Sequence, residues 1–210
     1  MSNTSFKLFV DDNAKVMLAC DAVLDKIVFP VWGSVKFDGI RAYVKNSVVY
    51  SRSNKPIPNK AVQEKYGKPE YEGCDGELIV GDIYDEDCFR KTTSIVMSHD
   101  KPADEVVFYV FDTILHNDVV FEIRHDLLKK SFVEGDGVVL VEHTLIHDHD
   151  QLSAYVDVQA TLGGEGVILR APDKPYKFGR STVRGGFLLR IKFFVESEFL
   201  MVGVNEQLKN

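Results

Sequence analysis

A lysine followed closely by an aspartate, a glycine and an arginine is the feature of this sequence that most suggests chemistry. In the stretch VKFDGIRAYV, residues 35–44, Lys36 lies between apolar neighbours, and Asp38, Gly39 and Arg41 come after it. Asp-Gly between two short apolar runs is typical of a turn, because glycine adopts positive φ freely and aspartate hydrogen-bonds its own backbone. A turn requires neither the lysine nor the arginine. Taken alone, the stretch is as compatible with a surface turn as with a reactive site.

Six further stretches of charged and aromatic residues follow Lys36 along the chain. Most of them fall on predicted strands or at strand ends, so we expect them to converge on one cleft. One such fragment would be weak evidence for a function, whereas seven in a fixed order are specific. The six are YSRSNKPI (50–57), DGEL (75–78), YVFD (109–112), GEGVILR (164–170), YKFGRST (176–182) and LLRIKFF (188–194).

In this order the seven stretches resemble the nucleotidyltransferase motifs of ATP-dependent DNA ligases, a branch of the covalent nucleotidyltransferase superfamily. The resemblance covers about residues 25–200 and is closest to the minimal ligases of viruses and phages. It implies an α+β fold in which two mainly antiparallel β-sheets, flanked by helices, surround a nucleotide cleft, as in ATP-grasp-like ligase adenylation domains. It also implies an enzyme that adenylylates itself with ATP, passes AMP to the 5′-phosphate of nicked duplex DNA and seals the nick.

The resemblance makes Lys36 the nucleophile, which attacks the α-phosphorus of ATP to give a lysyl-AMP phosphoramidate and pyrophosphate. A lysine amine, with a reference pKa of about 10.4, must lose its proton before it can attack. Nearby cations lower the pKa of an amine, so we expect Arg190, Lys192 and a bound metal ion to assist. Lys192 is also expected to neutralise the α-phosphate in the transition state. Arg190 departs from the family, which often has lysine there, and it keeps the charge but not the geometry.

Three carboxylates are the implied ligands of Mg²⁺ or Mn²⁺, namely Asp38, Glu77 and Glu165. Hard divalent cations prefer oxygen ligands, and magnesium keeps most of its waters while taking few carboxylates. Asp38 is expected to position the water shell of the metal, and Glu77 also to hold the ribose hydroxyl. The alternative for a glutamate beside a glycine is a solvated turn.

The adenosine is expected to contact two side chains. Phe111 would stack on the adenine face, although a phenylalanine in YVFD is equally what a core strand supplies. Ser34, two residues before the nucleophile, occupies the position that reads the adenine amino group in the family. A serine hydroxyl can accept that hydrogen bond, so the sequence is compatible with ATP.

Four cations are expected to contact ribose or phosphate. Arg41 and Arg52 would grip the ribose and the 5′-phosphate of the broken strand, because a guanidinium binds phosphate through two hydrogen bonds. Arg180 and Lys177, in and beside the GRST loop, would face DNA or the departing pyrophosphate. A solvated basic loop is the alternative for the latter pair.

Rival functions remain open from the sequence. An RNA ligase or an mRNA-capping guanylyltransferase shares the lysine-centred motif, and the latter would use GTP. The pattern LLRIKFF directly after GRST favours a DNA ligase. A member of another class would be a module that binds nicks or DNA ends without turnover, but a pure binder needs no nucleophile.

Composition places the chain among ordinary globular proteins. Apolar residues make up 45% of the 210 residues and charged residues 27%. The net charge of −7 argues against a DNA coat over the whole surface, but residues 170–192 carry seven Lys or Arg and one Asp. Such asymmetry predicts a phosphate-rich partner docking on this region. The three cysteines form no C-x-x-C pair and are predicted to be free thiols.

Periodicity and turn residues predict the elements that position these side chains. A hairpin is expected around Asn46-Ser47, followed by strands over CDGELIVG, VVFYVFDTIL, GVILRA and GFLLRIKFFV. Helices are expected over residues 59–66, opened by Asn59, over 121–134, with Leu127, Leu128 and Phe132 near one face, and from about Asp150 to Gly163-Gly164.

The resemblance also predicts the domain organisation. Relatives place an OB-fold, a five-stranded barrel, after the last motif, and residues 195–210 are too few to form one. We expect residues 1–194 to form the nucleotidyltransferase domain and 195–210 to be a terminal strand or the start of an absent OB-fold. Without that domain, we expect the reaction of Lys36 with ATP to be slow.

No apolar run approaches the roughly 20 residues needed to span a membrane. A monomer in the cytosol or nucleus of a host cell is the expected setting.

Overall fold

Two five-stranded β-sheets and four α-helices make up the computed structural model, which describes residues 15–132, 135 and 137–193. The predicted α+β class is therefore confirmed. The expected terminal strand over 195–210 lies outside the described residues. The strands are β1 (Cys20–Asp21), β2 (Val31–Val35), β3 (Ile40–Lys45), β4 (Val48–Ser51), β5 (Cys74–Val80), β6 (Val106–Thr113), β7 (Val138–Leu140), β8 (Thr144–Ile146), β9 (Gly166–Arg170) and β10 (Leu188–Lys192). The helices are α1 (Lys60–Tyr66), α2 (Cys88–Val96), α3 (Phe121–Ser131) and α4 (His149–Thr161).

The first sheet has the strand order β1-β10-β9-β2-β8. All its neighbouring strands are antiparallel except β1 and β10, which run parallel. Its outer face packs against α4 through a buried apolar cluster that includes Val31, Leu152 and Leu189. Because side chains alternate along a strand, the other face of this sheet is left to face the second sheet.

The second sheet has the strand order β4-β3-β5-β6-β7 and holds the larger core. It is antiparallel except for β6 and β7. A third cluster, with Met17, Tyr43, Ile114, Tyr176 and Leu188, joins residues of both sheets. The two sheets therefore pack on each other at one end, and a cleft lies beside this contact.

Turn chemistry explains the connections on either side of β3. Asn46 and Ser47 join β3 to β4 with φ of 52° and 57°, which is the double positive φ of a type I′ hairpin turn and confirms the predicted hairpin. Gly39 does not use a positive φ, contrary to the reason expected from the Asp-Gly pair. A Cβ at Gly39 would instead lie 2.3 Å from the carbonyl oxygen of Leu78, so glycine is required there for close approach to β5.

The first residues of α1 and α4 are set by N-cap side chains more than by the spacing of their apolar residues. The Asn59 side chain accepts a hydrogen bond from the backbone NH of Val62 and opens α1 as predicted. Asp148 caps α4 in the same way, so that helix begins at His149. The sequence analysis did not predict α2.

Helix α3 corrects one detail of the sequence analysis. It ends at Ser131, and Leu127 is 40% exposed rather than in the core. The buried face carries Phe121, Arg124, His125 and Leu128. Of the three predicted apolar residues, Leu128 and Phe132 therefore pack on the core and Leu127 does not.

No helix in the described part of the chain is both long and apolar enough to cross a membrane.

Candidate active site

A cleft of about 160 Å³ lies between the two sheets and collects most of the residues singled out from the sequence. Its walls come from the end of β2, from β3, β5 and β6 of the second sheet, and from β9, β10 and the loop before β10. The predicted site residues in this lining are Ser34, Lys36, Arg41, Arg52, Glu77, Phe111, Arg180 and Arg190. The convergence expected from the seven stretches is thus observed for these residues.

Lys36 follows β2 and its amine forms an ion pair with the carboxylate of Glu165. Two backbone contacts fix this geometry: the Lys36 NH donates to the Gly166 carbonyl at 2.9 Å, and the Phe193 NH donates to the Glu165 carbonyl at 3.0 Å. Gly166 is needed here, because a Cβ would lie 2.2 Å from the Ile191 carbonyl oxygen. The side chain of Lys36 is only 16% exposed, so the amine faces the cleft and not bulk solvent.

Lys192 approaches the same carboxylate from β10, with 3.8 Å between its Nζ and an oxygen of Glu165. The Glu165 carboxylate therefore contacts both Lys36 and Lys192, the two lysines to which the family resemblance gives a part in the reaction. An anion with several negative oxygens, such as a phosphate, matches the charge of these two amines.

Asp38 and Glu77 add negative charge beside Lys36. Burial raises the pKa of the Asp38 carboxyl, and a hydrogen bond and charge repulsion from Glu165 raise it further, against the opposing effect of Lys36. Burial also raises the pKa of Glu77 to about 7, although Arg41 and Lys36 act in the opposite direction. A carboxyl with this pKa exchanges its proton near neutrality.

Arg41 is held by a buried carboxylate that the sequence analysis did not identify. Its guanidinium donates two hydrogen bonds of 2.7 Å to Asp75, one to each carboxylate oxygen. The hydroxyl of Tyr176 donates to the same Asp75 at 2.7 Å. Arg41 also lies 4.6 Å from the centre of the Phe111 ring, so these groups form one fixed wall of the cleft.

The cations at the mouth of the cleft are less confined. Arg190, which lines the cleft with Lys36, donates at 2.6 Å to Asp21 of β1. Arg180 is exposed and donates to the Ala19 carbonyl at 2.8 Å. Lys177 is not part of the cleft lining and donates to the Arg180 carbonyl at 2.7 Å. This hydrogen bond lies within the loop that carries Arg180.

Comparison with known proteins gives a family for this arrangement. The profile described as "ATP dependent DNA ligase domain" matches residues 14–192. The chain belongs to the ATP-dependent DNA ligases. It represents the adenylation domain of such an enzyme, as the sequence analysis predicted.

Solved structures agree with this ligase assignment. The DNA ligase-adenylate of Chlorella virus is 30% identical with a TM-score of 0.75, over 86% of this chain and 67% of that one. A Lig E DNA ligase is 25% identical with a TM-score of 0.68, over 85% and 68% of the two chains. The bacteriophage T7 ATP-dependent ligase, at 18% identity and a TM-score of 0.62 over 87% and 69%, shows the shared fold alone. No curated protein matches the sequence.

The ligase domain contains a buried ion-pair network that the sequence analysis missed. Asp112, the last residue of YVFD, accepts hydrogen bonds from Arg124 of α3 at 2.6 Å and from Arg170 of β9 at 2.8 Å. Arg170 lies 5.0 Å from the centre of the Phe111 ring and lines the cleft. The sequence does contain a sign of this network, because Arg170 ends the apolar run GVILR. An arginine in such a buried strand requires a carboxylate partner.

The basic run of residues 170–192 does not form the single face that its composition predicted. Arg170 is buried in the ion-pair network, whereas Arg180, Arg190 and Lys192 lie at the cleft. Of the other three, Lys174 and Arg184 line a different depression on the outer side of the first sheet, and Lys177 donates to the Arg180 carbonyl. The charges of this run are therefore divided among the buried ion-pair network, the cleft and a second surface of the ligase domain.

The carboxylates of the ligase domain fit a hydrated divalent cation. The described residues contain no cluster of three or more His, Cys, Asp or Glu side chains arranged as a metal cage. Magnesium, however, takes only one or two carboxylates together with substrate phosphates and water. Asp38 and Glu165, whose charges interact in the cleft region, supply oxygen donors of that kind.

Proposed function

We propose that this chain carries AMP as a phosphoramidate on Lys36 and transfers it to the 5′-phosphate of nicked duplex DNA before sealing the nick. The observation that carries the proposal is the position of Lys36, whose amine is paired with the Glu165 carboxylate in the cleft that Glu77 and Arg41 also line. The Chlorella virus relative is a ligase-adenylate. Both facts support a covalent adenylate here.

The proposal gives the groups around the cleft the following roles. Phe111 supplies an apolar surface for the adenine, and Ser34, which is 3% exposed, offers a hydroxyl beside it. Arg52 and Arg180 lie at the cleft, where the phosphates of the nicked strand would enter. Lys192 stabilises negative charge on the α-phosphate, because a cation held in place near developing charge lowers the barrier.

The reaction begins with an exchange of partners at Lys36. Its amine must leave Glu165, lose a proton and form the N–P bond while the α-phosphorus releases pyrophosphate. Asp38 and Glu165 would hold Mg²⁺ or Mn²⁺, which would neutralise phosphate charge when bound. Glu77 would hold the ribose hydroxyl and adjacent metal water. The sealing activity would serve DNA replication, repair and recombination.

A sealing assay with preformed substrates tests the proposal and separates the steps. A nicked duplex with a plain 5′-phosphate requires ATP and Lys36, whereas a nick that already carries 5′-AMP requires only the sealing step. We expect the wild type to seal both, and Lys36→Ala to seal only the preadenylylated nick. GTP in place of ATP should not support sealing of the plain nick.

The outcomes distinguish the rival functions. Use of GTP in preference to ATP would indicate a guanylyltransferase, and sealing of nicked RNA but not nicked DNA an RNA ligase. Binding of both duplexes with sealing of neither would contradict the proposal.

A further inference from the structure

A second depression, larger than the nucleotide cleft, lies on the opposite face of the first sheet. This back groove has a volume of about 770 Å³ and is lined by Lys26 and Leu189 together with residues 28–31, 171–174 and 183–186. Alternation along β10 separates the two sites, because Leu188 lines the cleft and Leu189 the groove. On β2, Ser34 faces the cleft and Val31 faces the groove in the same way.

Apolar side chains form the floor of the back groove and continue beyond it. Val31 and Leu189 are buried at its base, where they join the cluster under α4. Val28, which lines the groove, is 82% exposed. Val23 and Leu24, just before it in the chain, are 43% and 54% exposed. Apolar residues exposed together beside a concave surface are typical of a binding site.

Three cations form the rim of this apolar floor, namely Lys26, Lys174 and Arg184. Within the described part of the chain, Lys174 has a weak partner in the adjacent Asp173, at 3.5 Å. Lys26 and Arg184 form no ion pair with any described residue. The rim is therefore positive on a protein whose net charge is −7, and it attracts negatively charged side chains.

We propose that the back groove binds an acidic peptide segment of a partner protein, with apolar side chains on the floor and carboxylates at Lys26, Lys174 and Arg184. A volume of about 770 Å³ accommodates several side chains, as in other grooves that hold peptide anchors. Charge complementarity fixes the sign of the partner. This proposal is independent of the chemistry at Lys36.

The geometry favours a peptide over two other possible occupants of the back groove, nicked DNA and a second copy of this chain. A nick must lie at the cleft where Lys36 is, and the groove is on the far face of the sheet. A DNA backbone also gains little from an apolar floor, because it is recognised by cations and polar groups. Two copies of this chain, each with a net charge of −7, repel each other over their whole surfaces, but a negative patch of one copy matches the rim of the other, so the experiment below examines a second copy directly.

Selection from a library of short random peptides displayed on phage tests the proposal with the full chain as target. The enriched peptides are then synthesised with a fluorophore, and their affinity is measured by fluorescence anisotropy. We expect enrichment of Asp and Glu together with Leu, Phe or Trp. The triple variant Lys26→Glu, Lys174→Glu, Arg184→Glu should bind such a peptide about tenfold more weakly or worse.

A matched variant with three exposed lysines reversed elsewhere, Lys101→Glu, Lys129→Glu and Lys130→Glu, controls for net charge and should bind within about twofold of wild type. Val28→Asp should weaken peptide binding without altering the rim. Nick sealing should be unchanged in all variants, which shows that they are folded.

Four results would overturn the proposal. Two come from the selection: no peptides are enriched, or the enriched peptides lack acidic residues. Two come from the triple variant: it binds the selected peptide as tightly as the wild type, or it loses more affinity for nicked DNA than its control variant does. Sedimentation velocity completes the test. A dimer that dissociates only in the triple variant would assign the groove to a second copy of this chain instead.

Discussion

The amine of Lys36 must exchange its contact with the Glu165 carboxylate for the α-phosphate of ATP before a bond to phosphorus can form. Glu165 in turn contacts Lys192 at 3.8 Å, so the arrival of a phosphate would rearrange two ion pairs that share one carboxylate. Single side chains around this carboxylate should therefore affect the first chemical step more than they affect stability.

Lys192→Met tests the role assigned to the second lysine. It removes a cation placed to stabilise charge on the α-phosphate, and loss of one such group typically slows a reaction about 10²- to 10³-fold. Single-turnover adenylylation followed by quenched-flow with labelled ATP would measure this rate. Lys101→Met, on an exposed lysine outside the cleft, is the control and should retain the wild-type rate.

Glu77 offers a pH-dependent signal within the cleft. Its pKa of about 7 is raised mainly by burial. A ¹³C-carboxyl NMR titration should give a midpoint near that value, and Glu77→Gln would identify the resonance. Because the folded pKa exceeds the unfolded one, this group favours the folded state below about pH 4.3, and that contribution is lost as pH rises through about 7. A midpoint near 4.3, the reference value, would contradict the description of the site.

At the scale of elements, Asp112 connects three parts of the fold to the cleft. It belongs to β6, and its carboxylate accepts from Arg124 of α3 and Arg170 of β9. Despite burial, these two guanidinium groups lower the pKa of Asp112. The network holds β9, and therefore Glu165 at its start, in register with Phe111 on β6.

Asp112→Asn should destabilise the domain strongly. It leaves two buried arginines without their counter-ion, and breaking a buried ion pair on one side costs about 3–5 kcal/mol. Asp87→Asn, which breaks an exposed pair with Arg90 on α2, should cost at most about 1 kcal/mol. Urea denaturation of both variants provides the comparison, and equal losses would refute a special role for the network.

Helix α3 also buries His125 against His143, with ring centres 4.6 Å apart. Burial lowers the pKa of His125 to about 4, and Lys129 and Arg170 lower it as well, whereas Asp112 and Asp126 oppose them. Burial and the charge of Arg170 lower the pKa of His143 too. Both imidazoles are therefore neutral in the folded protein at neutral pH.

Acid should destabilise the protein through this pair. In the unfolded chain His125 is protonated below its unfolded pKa of about 6.5. In the folded chain it stays neutral down to about pH 4. The free energy of unfolding therefore falls as the pH is lowered from about 6.5 to about 4. For His125 alone the loss is at most about 3 kcal/mol. His125→Phe should flatten the stability–pH curve in this range, measured by urea denaturation at each pH. An unchanged slope in the variant would count against the assignment.

At the scale of the whole molecule, charge is segregated in spite of the net charge of −7. Arg52, Arg180 and Arg190 gather at the cleft, and other cations lie at the back groove. A local positive surface on an acidic protein predicts binding of nicked DNA that weakens steeply with salt.

Arg180→Ala should reduce this salt dependence. Removal of one phosphate contact lowers the slope of log K against log salt by about 1, and affinity should fall for all sequences alike. Anisotropy titrations of a labelled nicked duplex over a series of KCl concentrations would measure the slope. Arg90→Ala, on an exposed arginine paired with Asp87, should leave it unchanged.

Local sequence signals predicted much of this fold. The Asn46-Ser47 hairpin and the cap at Asn59 have turn or cap chemistry that acts within a few residues, and both are observed. Helix α2 was missed because no side chain caps its first turn and its sequence, CFRKTTSIV, is only nine residues long. On α3, Leu128 is buried and Phe132 packs against the core, but Leu127 is exposed because Arg124 and His125 occupy the buried face.

Some residues of the candidate site could be predicted from the sequence, and others could not. The motif residues of the cleft were identifiable because the family resemblance assigns them by type and order. Their buried partners were not, because Asp75 and Asp112 meet Arg41 and Arg170 only after distant strands pair. The pairing of Arg190 with Asp21 likewise depends on β1 lying beside β10, which no local pattern indicates.

Intact-protein mass spectrometry after incubation with ATP and Mg²⁺ tests the central claim most directly. The account predicts that the wild type gains the mass of one AMP, that acid but not base cleaves the bond, and that peptide mapping locates the adduct on Lys36. Lys36→Ala should gain no mass, while Lys26→Ala should behave as the wild type. Failure of the wild type to gain AMP across pH and metal conditions, or an equal gain by Lys36→Ala, would contradict it.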